Sequence, residues 1–222
     1  RKSNKFIFPS STELDIRKKK SINEFLKNNK VDLVLNFAAY TNVDKAEIEK
    51  RIANDINNKG ALNLATETFK RQIGLIHFST DYVFCKNNTT TNHFDKKVSP
   101  VNYYGYTKSE GEKAVLLNSD LGFIVRLASV YGFYGNNFIK TIAKLLLTSS
   151  EVKVVSDQKI SLTSSAELVN NINYLIDLYN KNINNHGYLP KIIHFTNKGY
   201  TNWYNVAKIV KSGRLVSVDL KE

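Results

Sequence analysis

Residues 73–84 read Ile73-Gly74-Leu75-Ile76-His77-Phe78-Ser79-Thr80-Asp81-Tyr82-Val83-Phe84. The first seven, Ile73–Ser79, form a short apolar run with strand character. The run ends on hydroxyl and carboxyl side chains, and a polar, turn-rich stretch from Lys86 to Pro100 follows as a loop. Helical patterns lie on both sides of this strand. Upstream, Asp44–Lys70 is a long helical stretch with a break expected near Asn57–Gly60; downstream, Tyr103–Asn118 is helical.

The alternation continues outward. Val31–Asn36 is a buried-strand candidate, Ser21–Asn28 a short helix with Ile22, Phe25 and Leu26 on one face, and Lys5–Phe8 a short β-prone run. Beyond Asn118 come a strand at Gly122–Leu127, a helix at Asn137–Leu147 and a strand at Val152–Val155. An amphipathic helix follows at Ala166–Tyr179, lined by Leu168, Val169, Ile172, Leu175, Ile176 and Tyr179. Asn180–Gly187 is an Asn-rich linker, Ile192–Thr196 a strand and Trp203–Val210 a final helix. Alternating strands and helices predict an α/β fold, a doubly wound parallel sheet with helices on both faces. Such sheets bind ligands beyond the carboxyl ends of their strands, which directs attention to Asn36–Thr41, Ser79–Phe84 and Leu127–Gly132.

Composition excludes several classes. The 222 residues suffice for one large domain or two small ones and for a buried core. No apolar run approaches the roughly 20 residues of a membrane span. No apolar segment follows Arg1-Lys2-Ser3-Asn4 as it would in a signal peptide. A cytoplasmic protein is expected; the single Cys85 rules out an internal disulfide, and with only Lys86 nearby as a base it is no candidate nucleophile. The net charge of +12 is dispersed, Lys18-Lys19-Lys20 being the one run of three. It reads as a Lys-, Asn- and Ile-rich composition rather than a nucleic-acid stripe. His77, His93, His186 and His194 are scattered without ligand spacing, so no metal site is expected. The chain starts with Arg and contains no Met, and is read as part of a longer protein.

A Tyr and a Lys four residues apart on a helix share a face. An ammonium near the phenol favours phenolate and lowers the tyrosine pKa from about 10. Such a Tyr serves as proton donor to a carbonyl under reduction, while a neighbouring hydroxyl holds the carbonyl oxygen. With 12 Tyr and many Lys, about one such spacing arises by chance. Three occur: Tyr82–Lys86, Tyr104–Lys108 and Tyr204–Lys208. The first lies outside a helix, and the last sits among packing residues, Trp203, Val206 and Ile209. Tyr104 opens a helix and has a hydroxyl partner, Thr80, at the end of the preceding strand. The alternative for this pair is an ordinary surface contact. Small residues at Asn36-Phe37-Ala38-Ala39-Tyr40-Thr41 let a flat ligand approach a strand end, or else serve close helix–strand packing. Asp15 is either an acceptor for an adenine amino group or a surface or capping residue.

Four stretches in order and spacing carry a family resemblance: Asn36–Glu47 (NFAAYTNVDKAE), Phe78–Phe84 (FSTDYVF), Tyr104–Glu112 (YGYTKSEGE) and Val130–Thr141 (VYGFYGNNFIKT). Weaker echoes are Glu13–Ile16, Val155–Thr163 and His194–Ala207. The chain resembles the dTDP-4-dehydrorhamnose reductases, extended short-chain dehydrogenase/reductases. The resemblance implies a Rossmann-like domain over residues 1–128, N-terminally incomplete, and a smaller substrate-binding region interleaved with it over 129–222. It implies reduction of the C4 ketone of a dTDP-linked 6-deoxy sugar by NADPH or NADH, in dTDP-L-rhamnose biosynthesis. The implied partner is the nucleotide-sugar substrate, with no nucleic acid or membrane, and a homodimer is an allowed assembly. Carried across by position, Thr80 holds the ketone oxygen, Tyr104 gives the proton, and Lys108 tunes Tyr104 and holds the nicotinamide ribose. Asp15 and Ile16 match residues beside the adenine, Phe37, Ala38, Ala39 and Tyr40 the cofactor wall, and Asp81 and Tyr82 residues near the sugar.

The pattern also departs from the family. The glycine-rich turn that holds a pyrophosphate at a helix N-terminus is not in these residues, Gly60 being the first glycine. Hence the 222 residues alone are expected to be inactive. Ser129 stands where the family has a Trp against the sugar, Phe37 where it has a small residue, and Cys85-Lys86 where it has Asp-Gly. Ile160-Ser161-Leu162 replaces Gly-Ser-Pro. Three other readings remain: a nucleotide-sugar epimerase or dehydratase, suggested by Ser129; a non-catalytic homologue resembling the regulatory beta subunit of methionine adenosyltransferase; and a nucleic-acid-binding module. The first lacks net consumption of reduced cofactor, and the last requires salt-sensitive binding. Ser10 and Ser11 after the first β-prone run lack the acidic residue that favours NAD, which leans the preference to NADPH.

Overall fold

The computed structural model describes residues 4–84, 97–184, 191–213 and 219–221. Cys85, Lys86, His93 and His186 lie outside the described residues. In chain order the elements begin α1 (Lys19–Asn28), β1 (Leu33–Asn36), α2 (Val43–Ala46), α3 (Lys50–Asn54), a π-helical turn (Asp55–Gly60) and α4 (Ala61–Phe69). Then come β2 (Gly74–Thr80), a 3₁₀ turn (Asp81–Val83), α5 (Tyr103–Asn118), β3 (Gly122–Leu127), β4 (Val130–Tyr131), α6 (Phe138–Thr148) and β5 (Glu151–Lys153). The last are β6 (Lys159–Ile160), β7 (Thr163–Ser164), α7 (Ser165–Asn170), α8 (Ile172–Asn184), β8 (Ile192–Phe195), β9 (Thr201–Asn202), α9 (Trp203–Ser212) and β10 (Asp219–Lys221).

The main sheet has the order β1-β2-β3-β8 in a parallel α/β fold, as expected. β1 and β2 run in register from Leu33 opposite Gly74 to Asn36 opposite His77, so both strands deliver their ends to the same edge. β2 and β3 are buried along their whole length, because helices cover both faces. Ile22 and Leu26 of α1, Leu64 and Ala65 of α4, Leu75 of β2, Val115 of α5 and Ile124 of β3 make one continuous core. Burying each such Leu or Ile contributes about 1.5–3 kcal/mol, which far outweighs the strands' own propensities.

The chain divides into two compact units. One comprises Arg1–Arg126 and Tyr179–Ile193, the other Leu127–Leu178 and His194–Glu222. The second has its own core, with Ile142 and Leu146 of α6 packed with Val152, Val154 and Ala207, and the Phe138 and Trp203 rings 4.4 Å apart. Small two-stranded pairings complete it: β4 with β7, β6 with β9 and β5 with β10. Among the described residues no helix is long and apolar enough to cross a membrane, and no cluster of His, Cys, Asp or Glu could hold a metal ion.

Three local expectations need correction. Lys5–Phe8 pairs with no strand among the described residues, and Phe6, Ile7 and Phe8 are exposed. The Asp44–Lys70 stretch is interrupted at Glu47–Glu49, where the chain leaves α2 and re-enters at α3; at Asn57–Gly60 it widens into a π turn without leaving the helix. The amphipathic stretch from 166 breaks at Asn171, and α8 runs on through Asn180–Asn184, where a linker was expected. The buried face of Leu175, Ile176 and Tyr179 sustains α8 where asparagine propensity alone would end it.

Candidate active site

The edge at the carboxyl ends of β1 and β2 gathers most of the residues singled out in the sequence. β2 ends at Thr80, whose hydroxyl caps the 3₁₀ turn by accepting the Tyr82 N–H at 3.2 Å. The same hydroxyl donates to Asp81 Oδ1 at 3.2 Å and lies near enough to the Tyr104 phenol to favour its ionised form. Tyr104 lies in the first turn of α5, fixed from two sides. The Asn102 side chain caps the helix by accepting the Gly105 N–H at 2.8 Å, and Glu47 accepts the Tyr103 N–H at 2.7 Å. An anionic acceptor at a helix N-terminus is favourable. The Tyr104 ring packs with Ala46 and Ala53 and meets the Tyr82 ring edge-on at 5.6 Å.

Two glycines allow α5 to approach so closely. A Cβ on Gly105 would stand 2.2 Å from the Tyr82 carbonyl oxygen, and one on Gly111 2.2 Å from that of Asn57. Asn57 is the residue that sequence reasoning missed. It lies in the π turn, fully buried, and clasps the Tyr40 backbone through both groups: it accepts the Tyr40 N–H at 2.8 Å and donates to its carbonyl at 3.0 Å. Its amide also donates to Thr107 Oγ1, which donates to the Tyr104 carbonyl. The π turn thus ties the segment after β1 to the helix that carries Tyr104. Such turns concentrate at functional sites, but a buried Asn before a Gly gives no sequence signal that separates one from a plain helix break.

Lys108 lies one turn beyond Tyr104, wholly buried. Its ammonium donates to the Phe78 carbonyl at 2.7 Å and sits 3.5 Å from His77 Nε2. Burial brings it down to about 8, against the pull of Glu112 in the other direction. Glu112 is itself paired with Arg126 of β3 through contacts of 2.9 and 2.7 Å, and the Arg126 guanidinium lies over the Phe84 ring. The expected lowering of the Tyr104 phenol is not found. Burial pushes it up to about 12, with the Thr80 hydrogen bond opposing and Asp81 and Tyr82 adding to the rise. Asp81 keeps some accessible surface, yet protein surrounds its carboxyl densely and burial raises it to about 6; hydrogen bonds from Thr80 and from backbone N–H groups oppose this.

The remaining positions divide. Phe37 is half exposed and stacks on Phe78, with ring centroids 3.8 Å apart. Ala38 is exposed, and its N–H is bound by Asn36; Ala39 and Tyr40 are half-buried, and the Tyr40 hydroxyl donates to Glu49 at 2.7 Å. Asp15 is already engaged by Arg17 in a two-point contact at 2.8 and 2.9 Å, which holds its carboxyl down at about 2. Ile16 faces the core, where a Cβ on Gly60 would meet it at 2.6 Å. Ser129 lies in the second unit, its carbonyl accepting the Thr163 N–H. Of the other Tyr–Lys spacings, Lys208 lies over the Tyr204 ring at 5.5 Å within the packing of α9.

A parallel α/β sheet that presents a hydroxyl, a tyrosine and a buried lysine at its strand ends defines a Rossmann-like protein of the short-chain reductase type. Residues 1–217 match the family described as the RmlD substrate binding domain. The chain belongs to this family, that of the dTDP-4-dehydrorhamnose reductases. It is 37% identical over 201 residues to dTDP-4-dehydrorhamnose reductase of Mycolicibacterium smegmatis, covering 90% of this chain and 58% of that protein. It is 33% identical over 196 residues to the enzyme of that name from Aggregatibacter actinomycetemcomitans, covering 88% and 66%. The chain thus spans less than two thirds of the length of these relatives. The crystal structure of the Bacillus anthracis reductase in complex with NADP superposes with a TM-score of 0.86 at 33% identity, covering 95% of this chain and 72% of that one.

Proposed function

We propose that the protein reduces the C4 ketone of a dTDP-linked 6-deoxy sugar with NADPH or NADH, Tyr104 giving the proton. One observation carries this reading: Thr80 ends β2 and Tyr104 opens α5 close enough for the hydroxyl to act on the phenol, with buried Lys108 one helical turn away. The names of the relatives and the NADP in the Bacillus anthracis structure support it. On this reading residues 1–128 hold the dinucleotide and 129–222 contribute to the sugar site.

The residues present fit the nicotinamide end of such a cofactor. Ser79 Oγ is buried near the end of β2 with no hydrogen-bond partner, the Lys108 ammonium is held on the next carbonyl back, that of Phe78, and the Phe37 ring on Phe78 stays half exposed. Lys108 would hold the nicotinamide ribose, while Phe37, Ala38, Ala39 and Tyr40 form the wall, and Asp15 and Ile16 mark the adenine side. When bound, the nicotinamide supplies a hydride to the ketone carbon. Thr80 holds the ketone oxygen, and Asp81, Tyr82 and Ser129 belong to the sugar site.

The raised phenol is compatible with this chemistry. At about 12, Tyr104 carries its proton throughout the neutral range. The alkoxide left by hydride addition is about as basic as hydroxide, whose conjugate acid lies near 15.7. Transfer from Tyr104 therefore runs downhill by some 4 pK units, about 5 kcal/mol, even without help from Lys108. The Lys108 charge then stabilises the phenolate that remains.

The test is a substrate panel of dTDP-linked 4-keto sugars and other nucleotide sugars with NADPH and NADH. Oxidation of reduced cofactor in step with ketone loss is the expected result. Sugar conversion with no net cofactor consumption would instead identify an epimerase or dehydratase, the reading that Ser129 suggests.

A further inference from the structure

Asn36 and His77 stand opposite each other in the register of β1 and β2, and both are buried. The orientation of the Asn36 amide is fixed. Its Oδ1 accepts the Ala38 N–H at 3.1 Å, so Nδ2 is the atom that faces His77 Nδ1 at 2.9 Å. An amide nitrogen only donates, so Nδ1 is the acceptor and the neutral ring holds its proton on Nε2. Nε2 lies 3.5 Å from Lys108 Nζ, which donates to the Phe78 carbonyl. An ammonium has no lone pair. An Nε2–H aimed at it forms no bond and presents the positive end of a dipole, whereas an uncharged amine in the same place accepts that N–H.

We infer that His77, locked by Asn36 into the Nε2–H tautomer, is a positioning residue for Lys108, driving the ammonium onto the Phe78 carbonyl and favouring the amine over the charged form. Protonating His77 does not relieve the contact. The ring is fully buried, and burial together with the Lys108 charge holds it well below the ordinary histidine range. The other groups near Lys108 are Tyr104, one turn earlier on α5, and Glu112, one turn later. The charge of Glu112 favours the ammonium but is shared with Arg126 of β3. Burial acts on Lys108 in the same direction, bringing it down to about 8, and the His77 contact adds to that. The consequence for turnover, a loss of activity on the alkaline side as Lys108 discharges, rests on the reaction proposed above; the tautomer does not.

Long-range 1H–15N NMR of histidine-labelled protein reads which ring nitrogen carries the proton, and 13C titration at lysine Cε reads Lys108. The expected wild-type result is a bare Nδ1, a protonated Nε2 and a Lys108 midpoint near 8. Asn36→Asp puts an acceptor where Nδ2 stood, moves the ring proton to Nδ1 and leaves Nε2 free to accept from the ammonium. The Lys108 midpoint then rises by about one pH unit or more. The new carboxylate also attracts the ammonium through space, so His77→Phe is the charge-free comparison, and its midpoint rises as well. A wild-type ring protonated on Nδ1, or a Lys108 midpoint unmoved in His77→Phe, overturns the inference. Should both variants fail to fold, the wild-type tautomer still decides. None of these readings needs turnover, so they stand or fall separately from the assays of the proposed reaction.

Discussion

Glu112→Gln tests the buried pair that joins α5 to β3. Glu112 and Arg126 are 4% and 3% exposed and meet through two charge-assisted hydrogen bonds, so neither has water to fall back on. Replacing one partner strands the other charge in the interior, at a cost of about 3–5 kcal/mol. The Arg126 guanidinium keeps its place over the Phe84 ring at 4.8 Å in both forms, so that contact cancels and the expected loss stays at about 3–5 kcal/mol. With an m-value of about 2–3 kcal/mol/M, the urea midpoint falls by about 1–2.5 M. Glu112→Leu combined with Arg126→Met recovers most of that, because an apolar pair of similar volume carries no desolvation cost. A Glu112→Gln midpoint within about 0.3 M of wild type would refute the reasoning, since the pair would then be solvated.

Asp81→Asn should raise stability at high pH. The Asp81 carboxyl sits at about 6 in the folded chain and about 3.9 unfolded, so the folded state holds its proton more tightly. Its contribution is fully present below about pH 4 and lost as pH rises through 6. After allowance for partial solvent access, the variant gains about 1–2 kcal/mol over wild type at pH 8 relative to pH 4, read by urea unfolding at both. Asn57→Ala removes the clasp on Tyr40 and the bond to Thr107, and is expected to lose about 2–4 kcal/mol in the same assay. Gly111→Ala drives a Cβ against the Asn57 carbonyl and should cost about 1–3 kcal/mol; unchanged stability would show that α5 shifts freely there.

Much of the frame could be read from local signals. α5 and β3 fall within the expected bounds, Tyr103–Asn118 and Gly122–Leu127, because Asn102 caps the one and the other opens on glycine and is apolar apart from Arg126. The meeting of Thr80 with Tyr104 was legible because a strand end and a helix start each present one side chain. What escaped depends on neighbours far along the chain. Burial by surrounding elements, not the nearby lysine, governs the Tyr104 phenol, and no spacing reveals that. The Asn57 clasp spans 17 residues to Tyr40 and 50 to Thr107, and its π geometry emerges only when α5 packs against it. Asp15 reads either as an adenine acceptor or as a surface residue, and its pairing with Arg17, two residues on, is a contact that the spacing alone does not announce. Asn180–Asn184 has the composition of a linker, and its helix depends on the buried face of Leu175, Ile176 and Tyr179 earlier in α8.

The central claim is that the Tyr104 phenol delivers the proton to the reduced ketone. Steady-state turnover of Tyr104→Phe with NADPH and the dTDP-linked 4-keto-6-deoxy sugar tests it most directly, since the change removes one oxygen and keeps the packed ring. A fall in kcat of about 10²–10⁴-fold, with NADPH affinity close to wild type, is expected. Full turnover in the variant would contradict the account.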